Sequence, residues 1–192
     1  MAKRILLAGI LGGIAFFFWG GLAHTVLGLG TVGIQNLPQQ QPVMDTLNAS
    51  VPQSGFYFFP QVDAAMKLPP EKVGGPYGIM IYHASGAGAP MTGQLITECI
   101  LNIVLALLAA SLLALAPGLR GYGSRVGFVT LLGLAIGLMT HVQYWNWYGF
   151  PLSYTVASIF IAVFGFLIVG LIAAALVKPA TQRMMAVPAQ AA

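Results

Sequence analysis

Charge is scarce in this chain. Four acidic residues, Asp45, Asp63, Glu71 and Glu98, and eight basic ones occur among 192 residues, of which 58% are hydrophobic. A soluble domain carries about a quarter charged residues. The composition therefore excludes a surface coated for water and fits one coated by lipid. Cysteine is nearly absent: Cys99 stands alone. That excludes an internal disulfide and a multi-cysteine metal centre, and Cys99 reads as a small packing residue. Catalytic signatures are also missing. The chain has no His-Glu-x-x-His, no Gly-x-Ser-x-Gly and no phosphate loop.

What is present is length of apolar sequence. Four segments, about 5–29, 96–116, 126–142 and 154–177, carry almost no charge. At ~1.5 Å rise per residue each reaches across a hydrocarbon core of ~30 Å as a helix. The third does so only if Gln143 to Trp147 continue it. Helices are required, because an open strand in lipid leaves backbone groups unpaired at several kcal/mol each. The first segment reads as a retained helix and not a cleaved leader, since apolar character continues through Val26, Leu27 and Leu29.

Six of the eight basic residues flank these segments on one side: Lys3, Arg4, Arg120, Arg125, Lys178 and Arg183. The alternate gaps hold only Lys67 and Lys72. This positive-inside bias predicts both termini in the cytoplasm of a bacterial inner membrane. It also accounts for the net charge of +4 without any nucleic-acid partner. The expected fold is an all-α membrane protein, a four-transmembrane-helix bundle. Its helices occupy 1–30, 96–117, 126–143 and 154–177, with a cytoplasmic turn at 118–125 and a cytoplasmic tail at 178–192. A periplasmic cap fills 31–95 and an aromatic periplasmic loop fills 144–153.

The long cap must fold over the bundle. Val43, Met44, Leu47 and Val51 have helical spacing, with Pro42 and Pro52 bracketing them. Gly55-Phe56-Tyr57-Phe58-Phe59-Pro60 and Tyr77-Gly78-Ile79-Met80-Ile81-Tyr82-His83 read as two strands, paired as a β-hairpin. Lys67 to Lys72 and Gly74-Gly75-Pro76 are its exposed connection, and Ser85 to Pro90 its return to the membrane. The sequon Asn48-Ala49-Ser50 is short enough to arise by chance.

Two features bear on partners. Gly9 and Gly13, Gly133 and Gly137, and Ala106, Ala110 and Ala114 recur at four-residue spacing, which lets helices approach closely. They serve either the bundle interior or an interface with a homo-oligomer or membrane-protein partner. Tyr144, Trp145, Trp147, Tyr148 and Phe150 form an uncharged aromatic interface, of the kind that settles at lipid headgroup level. A shelf for a quinone, pigment or lipid tail is the sharper alternative.

Ionisable groups gather toward the outer third of the bundle. Counting along the helices puts His24 and Glu98 at ~28 Å and ~27 Å from the inner face, and His141 and Asn102 at ~22 Å and ~21 Å. Glu98, Asn102 and Ser158 then make a polar layer. Such groups are costly in lipid and face the bundle or water. His24, Glu98 and His141 are candidate ligands of a transition metal. His24 and His141 are candidate axial ligands of a haem, although the depth mismatch of ~6 Å needs tilt to remove it. A Glu98–histidine pair handling protons beside a quinone is a third reading. The bland reading is helix-end stabilisation at the water interface. His83 reads as an exposed loop residue.

Phe18-Trp19-Gly20 before His24, the aromatic strand Gly55 to Pro60, and Trp145-Asn146-Trp147-Tyr148-Gly149-Phe150-Pro151 carry a resemblance. In these motifs the chain resembles a bacterial family of four-transmembrane-helix membrane proteins to which no activity is assigned. The resemblance would span most of the chain and implies the topology, not a site. The expected function is a non-catalytic structural or accessory subunit packing against lipid and partner helices. The alternatives are a redox, metal- or haem-binding protein and a lipid- or quinone-handling enzyme.

Overall fold

A computed structural model describes residues 1–60, 76–84 and 90–178. Asp63, Lys67, Glu71, Lys72 and Arg183 lie outside the described residues, as do most of the expected hairpin connection, of the return segment and of the tail. Helix α1 runs Ala2–Thr25, α2 Gln40–Ser50, α3 Met91–Ala114, α4 Tyr122–Gly137, α5 Gln143–Tyr148 and α6 Leu152–Leu176. Strands β1 (Gly55–Phe59) and β2 (Gly78–Tyr82) make one small sheet. A π-helical turn, Leu138–Val142, joins α4 to α5, so that Tyr122–Tyr148 forms one long apolar rod. Among the described residues, four helices are thus long and apolar enough to cross a membrane.

The order of packing does not follow the order of the chain. α1 packs on α3 and on α6, and α6 packs on α4, giving a row α3–α1–α6–α4. The short link between α3 and α4 suggests close antiparallel neighbours. They run antiparallel but touch little, because each has a better partner. Those partners are chosen by small residues. At Gly13 the helices come so close that a Cβ would run into the backbone of Ile103 and the carbonyl of Asn102. Gly9 admits Leu107, and Gly12 faces Ala106 and Val169. On α6, Gly165 receives the ring of Phe16; on α4, Gly133 receives Phe166. Phe16 and Phe166 then meet edge to face at 5.6 Å, in the middle of the core. Trp19 ties α1 to α6 by donating its indole N–H to the Ile161 carbonyl at 2.9 Å. Without a hydrophobic drive in lipid, this close backbone approach supplies the association energy.

The hairpin register pairs Gly55 with Tyr82, Tyr57 with Met80 and Phe59 with Gly78. Tyr82 is buried and donates its hydroxyl to Asn48 Oδ1 of α2 at 3.1 Å. Ser54 Oγ accepts the Ala84 N–H at 2.9 Å and closes the open end. Helix α2 begins before Pro42, which sits in its first turn, where a missing N–H costs nothing. Helix α5 ends at Gly149, whose φ of +70° is left-handed. Its N–H and that of Phe150 return to the Tyr144 carbonyl, and Pro151 then caps α6.

Candidate functional site

The end of the bundle that carries α2 and the hairpin, here the loop end, holds the candidate site residues His24, Glu98, Asn102, His141 and Ser158. His24 closes α1 and is exposed; its Nδ1 lies 2.8 Å from the Gly20 carbonyl. A carbonyl only accepts, so Nδ1 carries the proton and the lone pair of the neutral ring is on Nε2. The ring lies over the backbone of Gly30.

Glu98 is exposed. Helix α3 starts at Met91, earlier than apolar content suggests, so Glu98 lies about two turns inside it and not at its N-terminus. Its Oε1 accepts from Nδ2 of Asn102 at 3.1 Å. Asn102 itself is buried where α3 meets Gly13 of α1. Ser158 is half-buried on α6. Thr155, a buried hydroxyl on α6 that apolar counting overlooks, is satisfied by the Pro151 carbonyl at 3.2 Å.

His141 sits in the π-turn. Insertions of this type accompany functional sites often enough to warrant a close look. Its ring stands edge-on to Tyr144 at 6.4 Å and to Tyr154 at 6.3 Å. Its Nδ1 is buried and has no hydrogen-bond partner. Such an atom costs about 1–3 kcal/mol of desolvation.

His24, Glu98 and His141 therefore occupy three helices and have separate local partners. Among the described residues, no three His, Cys, Asp or Glu side chains gather as a metal-binding group. The layer is a level in the bundle, and only Glu98 and Asn102 bond within it.

The aromatic residues, in contrast, are joined. From the hairpin, Phe56 meets Phe58 at 5.0 Å, and the two reach Tyr148 at 6.4 and 6.2 Å. Tyr148 meets Tyr144 at 6.0 Å, Tyr144 stacks on Phe150 at 5.3 Å, and Phe150 meets Tyr154 at 5.4 Å. A chain of ring contacts thus runs from the exposed hairpin to the half-buried His141 of the π-turn. Trp145 and Trp147 stand beside it in the open, Trp147 at 73% exposure. Chemically this is a broad apolar surface with one imidazole at its inner end. Sequence reasoning found the rim but missed its continuation onto the hairpin, since nothing in the spacing links Phe56 to Tyr148.

The opposite end carries a residue whose role was also missed. Arg125 is 3% exposed and donates from Nη2 to the carbonyl of Val177, the cap of α6. Tyr122 donates to the Leu171 carbonyl at 3.0 Å on the same helix.

Comparison with protein-family models, with curated proteins and with solved structures gave no match. The resemblance carried by the aromatic motifs rests on those motifs alone.

Proposed function

We propose that the chain is a multi-pass protein of the bacterial inner membrane, with both termini cytoplasmic and the loop end periplasmic. We propose further that it serves as a non-catalytic accessory subunit, packing against lipid and a partner membrane protein. One observation carries this. The small-residue faces are occupied inside the chain, while α3 and α4 turn rows of large apolar side chains outward. Ile96, Ile100 and Leu108 are exposed on α3, Leu131 and Ile136 on α4, and Met139 on the π-turn that follows it. Those rows, together with Leu7, Leu11 and Phe18 of α1 and Val156 and Phe160 of α6, are the contact surfaces that remain for lipid and partner helices. Distribution of the basic residues supports the orientation.

The test is purification from membranes in mild detergent, with crosslinking before extraction. A stoichiometric partner crosslinked through α3 or α4 is the expected result. A monodisperse protein that crosslinks to no other chain overturns the subunit role. A reporter fused after Lys178 should be active only in the cytoplasm.

A second reading has its own observation: the unbonded Nδ1 of His141 at the inner end of the ring chain. It favours a site for haem, a transition metal, a quinone or a lipid at the loop end. A Soret band or stoichiometric metal that disappears in His141→Ala, with His24→Ala and Glu98→Gln for comparison, would establish it. A colourless, metal-free protein that binds no quinone would remove it.

A further inference from the structure

Resting on the membrane assignment above, we infer that the outer face of the β1–β2 hairpin is a membrane-interface anchor. Phe56, Phe58, Ile79 and Ile81 lie against the headgroup–acyl boundary of the bilayer that the helices cross.

The register sets which residues share that face. Phe56 is opposite Ile81 and Phe58 is opposite Ile79, and directly opposed residues project to the same side of a sheet. Gly55, Tyr57, Phe59 and their partners project to the other side, where Tyr82 is buried and bonded to α2. On that side Tyr57 and Met80 are half-buried as well, and only Phe59, at the end of β1, is exposed, at 43%. The other presents Phe56 at 51% and Ile81 at 70% exposure. Neither strand contains a charged residue, so nothing on this face holds it in bulk water.

Position identifies the occupant. Phe56 and Phe58 reach the ring of Tyr148, the last residue of the third apolar rod, beside the exposed Trp147. The hairpin face thus continues the outward surface of a spanning helix at the level where Trp and Tyr mark the headgroups. A protein partner is the weaker fit, since a stable interface takes roughly 20–30 residues a side and this face offers four. Lipid needs no such area. A row of rings and branched chains is enough to bury at the boundary, as in an interfacial helix.

Site-directed spin labelling in lipid nanodiscs tests this. In a Cys99→Ser background, Ile81→Cys, Leu131→Cys and Gln39→Cys are each labelled and their collisions with oxygen and with a water-soluble nickel chelate compared. Oxygen concentrates in lipid and the chelate in water. The ratio at Ile81 is expected several-fold above that at Gln39, approaching that at Leu131 on the outward side of α4. A ratio at Ile81 equal to that at Gln39, with Leu131 in lipid, overturns the anchor and leaves the membrane assignment intact. Leu131 in water overturns the membrane assignment itself. A label at Ile81 shielded from both reagents also overturns the anchor, and shows a protein or a second copy on the face. Phe56→Cys repeats the measurement should Ile81→Cys fail to elute as a folded species.

Discussion

The guanidinium of Arg125, at the start of α4, donates to the carbonyl of Val177, at the end of α6. The last carbonyls of a helix have no partner within it, and its C-terminus carries partial negative charge. A buried cation delivered from the neighbouring helix answers both. It also pins the two helices at the end where they leave the apolar layer.

Removing that donor should be costly. Arg125→Met keeps much of the volume and loses the charged hydrogen bond, for an expected loss of about 1.5–3 kcal/mol. Arg125→Lys should lose less, since one ammonium hydrogen can still reach the carbonyl. Unfolding by SDS titration from mixed micelles measures both. Equal stability of Arg125→Met and the parent would show the contact to be idle.

Glycine contacts make a sharper pair. Gly13 of α1 has no room for a Cβ against the backbone of Ile103, whereas Gly20, two turns on, has nothing within 4 Å. Gly13→Ala should cost about 1–3 kcal/mol, as overpacking does. Gly20→Ala should stay within about 0.5 kcal/mol of the parent, as open surface sites do. Thermal melts in one detergent, run side by side, decide it; equal shifts would refute the α1–α3 packing.

Trp19→Phe should be mild. Its ring contacts with Phe160 at 6.2 Å and Phe164 at 4.3 Å can persist, and only the bond to Ile161 is lost. The expected cost is about 1 kcal/mol. The same variant should remove the most blue-shifted part of the tryptophan emission, because Trp145 and Trp147 are far more exposed than the 8% of Trp19.

His141→Phe should stabilise the protein. The buried Nδ1 makes no bond, so replacing the imidazole by a ring without polar atoms removes a desolvation cost of about 1 kcal/mol or more. It also keeps edge contacts to Tyr144 and Tyr154. A fall in stability, measured by the same SDS titration in native lipid, would mean that Nδ1 has a partner there and would favour the second reading.

The long apolar stretches and the aromatic runs were enough to foresee four long helices and a hairpin of these strands. The two strands were legible because aromatic and β-branched residues run between turn residues; the register that sets Phe56 opposite Ile81 was not. The need for Gln143 to Trp147 to lengthen the third helix was legible too, because span length is simple arithmetic. Helix order was not legible. Gly13 and Gly133 announce close approach without saying to what, and the answer lies about ninety residues away for one and thirty for the other. Nor could counting depth along His24 and Glu98 say which way each side chain turns. Depth is one coordinate; a shared site needs the rotation about each helix as well, and the small-residue faces that set it are read only in the assembled row. The π-turn at His141 left no mark in the residues around it.

The row α3–α1–α6–α4 has a consequence for biogenesis. Among the described helices, the earliest made, α1, is the neighbour of the latest made, α6. Until α6 is inserted, α1 lacks the surface that takes Phe16 and Trp19, and α4 lacks Phe166 altogether. The half-made molecule must wait in the bilayer with those sockets open. Premature termination anywhere before residue 152 should therefore yield not a smaller bundle but a substrate for membrane quality-control proteolysis.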